Sequence, residues 1–194
     1  YMRDHVLAPL GMADTGFALS DEQKGRQAGV HALTPGGLAP IPFGLPENPE
    51  VLSGGGGLYS TAGDYGRFLR MLLNGGELDG VTILSRAGIE GLAEVHTGSH
   101  RVRMASSLPH LSNTYDPYPE MATGHGLAAM VTPEPTSEGR RPGSLAWAGL
   151  ANTYYWADPE SGRAGVLMTQ LLPFADPAVL DLFKALERDA YGVA

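Results

Sequence analysis

The apolar positions of this chain follow two regimes, and the change comes near residue 120. Before it, helical spacing dominates. Residues 1–8 read as the end of a helix, stopped by Pro9 and Gly11 and with no N-cap ahead of it. Residues 20–57 carry many Gly and Pro with no sustained period, which predicts short strands and loops. The run Ser53-Gly54-Gly55-Gly56-Gly57 is a breaker, and a helix opens after it. Ser60 or Thr61 can cap that helix, and Asp64 sits in its first turn, where the helix dipole favours a carboxylate. Phe68, Leu69, Met71, Leu72 and Leu73 form its apolar face, and Asn74-Gly75-Gly76 ends it with a left-handed cap. Ser85 opens a second helix, whose apolar positions are Ala87, Ile89, Leu92 and Ala93. Residues 96–120 are polar and rich in Ser, Pro and His, so they read as a surface excursion.

After residue 120 the period changes to that of strands. Gly126 to Val131 is the first, and Ser144 to Gly149 the second. Asn152 to Ala157 and Ala164 to Gln170 form a hairpin turned by Asp158-Pro159-Glu160-Ser161-Gly162. The last segment, Pro177 to Tyr191, is an amphipathic helix with Val179, Leu180, Leu182, Phe183, Leu186 and Tyr191 at helical spacing. Two helices, then consecutive strands, then a helix predict an α+β fold, an antiparallel β-sheet with helices packed on it. The strand–helix alternation of a doubly wound fold is missing. No internal repeat is present.

Composition narrows the function classes. With 194 residues the chain is long enough for one domain with a real core. Net charge is −8 and spread along the chain, which disfavours nucleic acid and anionic membrane, since both need a basic patch. No apolar run approaches the roughly 20 residues of a membrane span. There is no cysteine, hence no disulfide, no thiolate nucleophile and no Cys-based metal site. That absence fits an oxidising or a reducing compartment alike, bacterial cytoplasm or periplasm, so it does not locate the protein.

The residues themselves assemble no complete catalytic centre. A serine nucleophile needs a base beside it. The only lysines are Lys24 and Lys184, and neither has a serine three residues earlier; Ser20 and Lys24 miss by one. The Gly-x-Ser-x-Gly elbow is absent too, because Val51 stands where Ser53 would need its first glycine. His96 and His100 are four apart, but Thr97-Gly98-Ser99 makes a poor helix and supplies no glutamate, so they read as solvated loop histidines. His110 and His125 have no ligand-spaced neighbours. The glycines at 54–57 lack the Lys of a phosphate loop, and Asn48-Pro49-Glu50 is a poor strand to precede a dinucleotide site. A structural turn with close backbone approach is the favoured reading there. No metal and no cofactor is called for.

Three segments nevertheless resemble one family in the right order. Ala8 to Phe17 contains Pro-Leu-Gly-Met-x-x-Thr-x-Phe; Ser53 to Gly76 contains Gly-Gly-Leu-x-Ser-Thr-x-x-Asp and the helix after it; Leu145 to Gln170 contains Trp147-Ala148-Gly149 and the following hairpin. Together they resemble the C-terminal half of a serine β-lactamase-like hydrolase, in the branch of class C β-lactamase relatives that includes the family VIII esterases. The resemblance implies a β-lactamase/transpeptidase-like fold with its N-terminal part missing. Residues 1–194 would then be a single partial domain whose main partner is the missing N-terminal half of the same protein.

The resemblance also assigns roles. Trp147-Ala148-Gly149 occupies the place of the third active-site motif, Lys-Thr-Gly in the β-lactamases, on an edge strand. By that likeness the backbone N–H of Leu150 is an oxyanion donor, Trp147 and Ala148 line the substrate site, and Gly149 lets substrate approach the strand. Taken alone, a strand Trp147 reads as a core aromatic; the family context moves it to the site. Trp147 stands where a β-lactam carboxylate would find its cation, which favours a neutral ester over a penicillin. Ser60, Thr61 and Asp64 are expected to cap, and Tyr154, Tyr155 and Trp156 to pack on the sheet. The family's Ser-x-x-Lys and Tyr-x-Asn motifs are both absent, so the nucleophile, its lysine and the tyrosine base are expected upstream. The expected substrate is a small-molecule ester or amide. Alternatives are a β-lactamase or D-amino-acid peptidase on the same scaffold, or a non-catalytic binding module.

Overall fold

The computed structural model describes residues 1–46 and 49–193. Its elements are an opening π-helical turn (Arg3–Leu7), then α1 (Asp21–Arg26), β1 (His31–Thr34), β2 (Gly37–Pro40) and α2 (Ala62–Leu73). A small hairpin of β3 (Glu77–Leu78) and β4 (Val81–Thr82) leads to α3 (Arg86–Ala93). Then follow β5 (Gly124–His125), β6 (Met130–Thr132), β7 (Ser144–Gly149), β8 (Thr153–Asp158), β9 (Arg163–Leu167), β10 (Leu171–Leu172) and α4 (Pro177–Tyr191). The main sheet is antiparallel throughout, in the order β5-β6-β7-β8-β9. A second sheet, β10-β1-β2, pairs β1 parallel to β10. The α+β architecture expected from the pattern of elements is the one observed.

Strand alternation gives the main sheet two covered faces. Along β8, Tyr154 and Trp156 point one way and Tyr155 and Ala157 the other. On the first face α4 brings Phe183, whose ring meets Trp156 edge-on at 5.5 Å and Tyr154 at 5.2 Å. On the second, Tyr65, Phe68, Leu69 and Leu72 of α2 pack on Tyr155, Ala157, Ala164 and Val166. Gly165 stands opposite Trp156, and a Cβ there would lie 2.1 Å from the indole ring, so the large aromatic fits only over a glycine.

The helix ends follow the sequence closely. Thr61, not Ser60, caps α2, its hydroxyl accepting from Asp64 N–H at 3.2 Å. The Asp64 carboxylate then accepts from Asp14 N–H and Thr15 Oγ1, both at 2.8 Å, and so ties the Ala8–Phe17 segment to α2. Ser85 caps α3, and Asp176 caps α4.

Several expectations need correction. The stretch 20–57 holds a short helix, α1, beside its strands; the capping box Ser20–Gln23 was its signal. The part of that expectation falling on Glu47 and Asn48 lies outside the described residues. Gly54, Gly55 and Gly56 have open space where a Cβ would sit, so no close backbone approach explains them. Of the strand expected over 126–131 only Met130 and Val131 are strand, in β6; residues 126–129 form the bend that joins β6 to β5, which lies before the expected range. Residues 96–120 are more than an excursion: Val102 and Tyr115 are buried in the core beside Phe174 and Trp156, and Asp116 is held by Arg101.

The last helix also buries a narrower stripe than its apolar residues suggest. Leu182 and Leu186 are exposed, while Glu187 joins Val179 and Phe183 inside. Glu187 is there because Arg140 is: Nε donates to Oε1 at 2.5 Å and Nη2 to Oε2 at 2.6 Å, with both side chains about 2% exposed or less. The guanidinium also lies over the Tyr118 and Phe183 rings, at 5.8 and 5.7 Å. A buried pair of this kind stabilises little net, but losing one partner strands a charge. Glu187→Leu or Arg140→Met alone should therefore cost about 3–5 kcal/mol in urea unfolding. The double variant should recover most of that loss, and a double as unstable as the sum of the singles would refute the account.

Asp158 closes the β8–β9 turn. Its carboxylate accepts from Arg141 N–H and Ser161 N–H at 3.0 Å and from Tyr191 OH at 2.8 Å. Burial alone would raise its pKa, but these donors outweigh burial and hold it below the ordinary carboxylate value. Its contribution is thus fully present above the unfolded pKa of about 4 and is lost as pH falls through the lower folded value. Asp158→Asn should flatten that acid limb of the stability curve and cost roughly 1–3 kcal/mol at neutral pH, read by thermal melts across pH.

Candidate active site

β7 is an interior strand for half its length only. Its partner β6 reaches Ser144, Leu145 and Ala146 and stops at the Met130–Ala146 pair. Trp147, Ala148 and Gly149 pair with Tyr155, Tyr154 and Thr153 of β8 and have no strand on their other side. The last three residues of β7 therefore lie at a sheet edge and the first three do not. The structure keeps Trp147, Ala148, Gly149 and Leu150 together as one continuous rim.

Each of the four presents something different. Trp147 and Ala148 are half-buried, while Gly149 and Leu150 are exposed. A Cβ on Gly149 would meet only the Thr153 side chain, at 3.8 Å, so no group of this chain demands a glycine there. Leu150 begins the β7–β8 turn, and its N–H has no acceptor among the described residues.

The turn is fixed by Asn152, which the sequence reading passed over. Its backbone is left-handed, φ 61°, a conformation asparagine tolerates better than most residues. Its side chain is fully buried. Nδ2 donates to Leu171 O and Pro173 O, both at 2.8 Å, and Oδ1 accepts from Tyr154 OH at 2.8 Å and Asp176 N–H at 3.1 Å. Thr169 Oγ1 adds bonds to Ala151 O and Asn152 O at 2.8 and 3.0 Å. An Asn at a hairpin turn was the available signal; its long-range partners left none.

His125 is the second residue missed. Its ring meets Trp147 edge-on, centroids 4.8 Å apart and planes at 89°. Nδ1 lies 2.6 Å from Gly126 O, and since a carbonyl only accepts, Nδ1 carries the proton. Its backbone is held by Thr97 Oγ1 and His96 N–H. With the strand expected to start at Gly126, nothing in the spacing placed His125 beside Trp147.

The surrounding groups offer no base of the tyrosine type. Burial pushes the Tyr65 and Tyr118 phenols well above their ordinary pKa, Tyr115 to about 12, and Tyr155 upward as well. These four stay protonated at neutral pH. Ser20, the near miss for Lys24, spends its hydroxyl on capping α1. Among the described residues no cluster of three or more His, Asp or Glu could hold a metal ion. Among the described residues no helix is long and apolar enough to cross a membrane.

A mixed sheet-and-helix fold with an exposed motif strand of this kind defines the serine β-lactamase-like class. The Beta-lactamase family profile matches residues 1–189, and the chain belongs to that family. An uncharacterized protein of Mycobacterium tuberculosis is 33% identical over 180 residues, covering 88% of this chain and 42% of that protein. Monacolin J acid methylbutanoyltransferase of Aspergillus terreus is 27% identical over 98% of this chain and 48% of its own length. In structure, simvastatin synthase of Aspergillus terreus superposes with a TM-score of 0.79 at 23% identity, over 99% of this chain and 49% of that one. A hydrolase with promiscuous acyltransferase activity superposes with a TM-score of 0.68 at 21% identity, over 97% of this chain and 49% of that one. The chain thus spans about half the length of the relatives it matches.

The Asn152 hub can be tested on stability. Asn152→Ala should cost about 2–4 kcal/mol, because two carbonyls, a phenol and a backbone N–H lose their buried partner. Asn152→Gly frees the backbone but restores none of these bonds, so it should be nearly as unstable. A Gly variant close to the parent in urea midpoint would mean that the turn conformation, and not the side-chain network, carries the effect.

Proposed function

We propose that this chain is the C-terminal part of a serine acyl-transfer enzyme that hydrolyses carboxylic esters, its nucleophile lying upstream of these residues. The observation that carries the proposal is the open rim of β7: Trp147 in place of a cation, and Leu150 N–H with no acceptor of its own. In the reaction an upstream serine gives its proton to the upstream base and adds to the ester carbonyl, whose oxygen takes the charge; that base then returns the proton to the departing alcohol. Leu150 N–H donates to that oxyanion. The tetrahedral adduct collapses with loss of the alcohol, which takes a proton, and leaves an acyl-enzyme. Water then adds, and the carboxylic acid departs as the serine regains its proton. Trp147 supplies an apolar wall and one indole donor, a setting suited to a neutral ester.

A second reading replaces water by an alcohol acceptor, giving transfer in place of hydrolysis. The likeness to a methylbutanoyltransferase and to a hydrolase with promiscuous acyltransferase activity favours keeping it. Hydrolysis and transfer share the acyl-enzyme and differ only in what attacks it, so the roles of Trp147 and Leu150 are the same in both.

The upstream coding sequence is expected to contain Ser-x-x-Lys, and the protein that includes it to hydrolyse p-nitrophenyl acetate but not a cephalosporin. The 194 residues alone are expected to be inert to a fluorophosphonate label; serine-dependent turnover by them would place the nucleophile inside the chain. In the active protein, Leu150→Pro deletes the N–H and should lower kcat about 10²–10³-fold, while Leu150→Ala should not. Equal effects from both would rule out the backbone-donor role.

A further inference from the structure

Behind Trp147, between the main sheet and α4, lies a cavity of about 120 Å³. Met130, Ala146 and Phe183 give it apolar walls, and Tyr118 and Arg140 line its polar side. Arg140 is 2% exposed and uses Nε and Nη2 on Glu187, but its Nη1 is buried with no acceptor. A buried charged donor without a partner is costly, and in native proteins it calls for an explanation. We infer that this cavity is a binding site for a small neutral group that offers one oxygen acceptor, a ketone, ester or amide carbonyl on a short apolar body, with Arg140 Nη1 as the donor.

Size and charge select that chemistry. A cavity near 150 Å³ holds benzene, so this one takes a group slightly smaller. The Arg140 charge is already matched by Glu187, and Asp116 also lines the cavity, itself paired with Arg101. Lys184 lines it as well. Glu138, buried with an unpartnered Oε2, acts electrostatically on Glu187. Arg103 also reaches Asp116, at 3.7 Å, and Glu120 acts electrostatically on Arg101, so four carboxylates stand against four cations, which leaves no surplus positive charge for an anion. The apolar walls exclude a cation. A neutral acceptor satisfies Nη1 without adding charge to a buried pair. The inference does not rest on the acyl-transfer reading, because its test reads binding alone.

The probes are 2-butanone, its shape-mimic 2-methyl-1-butene, which lacks the acceptor, and propionate, which adds a negative charge. Each is titrated into the protein while NMR follows the Met130 methyl and the Trp147 indole N–H. The ketone should shift both signals saturably and bind about tenfold tighter than the alkene, with propionate giving no saturable shift. No saturation by the ketone, equal binding of ketone and alkene, or preference for propionate would each overturn the inference. The Arg140→Met/Glu187→Leu double variant should bind ketone and alkene alike. Should that variant unfold, the three-probe comparison on the unmodified protein decides by itself.

Discussion

The amide side chain of Asn152 is the constraint on which the arrangement depends. Four segments meet on it: the β7–β8 turn, β10 through Leu171, the chain after β10 through Pro173, and the start of α4 through Asp176. Its site is fully buried, so water cannot replace any of these bonds. The bonds are complete as well as numerous, with both amide hydrogens and the carbonyl oxygen in use. A network without a loose end is rigid, whereas one with a loose end is a liability. The turn bearing Leu150 is therefore fixed from behind by the core, and Leu150 N–H is left unused because the turn bonds through Asn152 N–H to Gly149 O instead.

The second condition is the length of β6. A strand of three residues covers the first half of β7 and leaves the second half bare. An exposed strand edge is ordinarily a hazard, since any other chain can pair with it. Here the bare stretch is three residues long, ends in a glycine and a turn, and carries the half-buried Trp147 ring against His125. That is too short for stable strand addition. His125 pairs with Met130, the residue at which β6 leaves β7, and its ring meets Trp147 just beyond that point.

What could be read from the sequence divides along physical lines. Interactions local in the chain were legible: the Thr61 and Ser85 caps, the glycine stop after Asn74, the β7–β8–β9 meander and the bounds of α4 all follow from spacing and turn chemistry within a few residues. The rim from Trp147 to Leu150 was legible only as a likeness, because nothing in four residues says which strand edge stays open. What escaped was long-range and polar. Glu187 falls outside the apolar positions that the spacing of the last helix marks, and only Arg140, 47 residues away, explains its burial. Asn152 read as the first residue of a strand, and its bonds to residues 171, 173 and 176 have no local signature. Val102 and Tyr115 were hidden inside a polar segment whose ends are joined by Arg101 and Asp116.

The two buried polar centres flanking the motif strand differ in a way that bears on function. Asn152 has every donor and acceptor matched, and its effect is to hold a backbone still. Arg140 has two of its three nitrogens toward Glu187 engaged and the third unmatched beside a cavity. If stability alone had shaped this core, a hydrocarbon pair of similar volume would serve as well as the ion pair, since desolvation consumes most of its attraction. An ion pair that also leaves a donor over is harder still to account for as structure. It makes sense where the leftover donor meets something that comes and goes. The fixed centre thus sets the geometry of the rim at Leu150, and the incomplete one gives the space behind Trp147 a preference for what enters it.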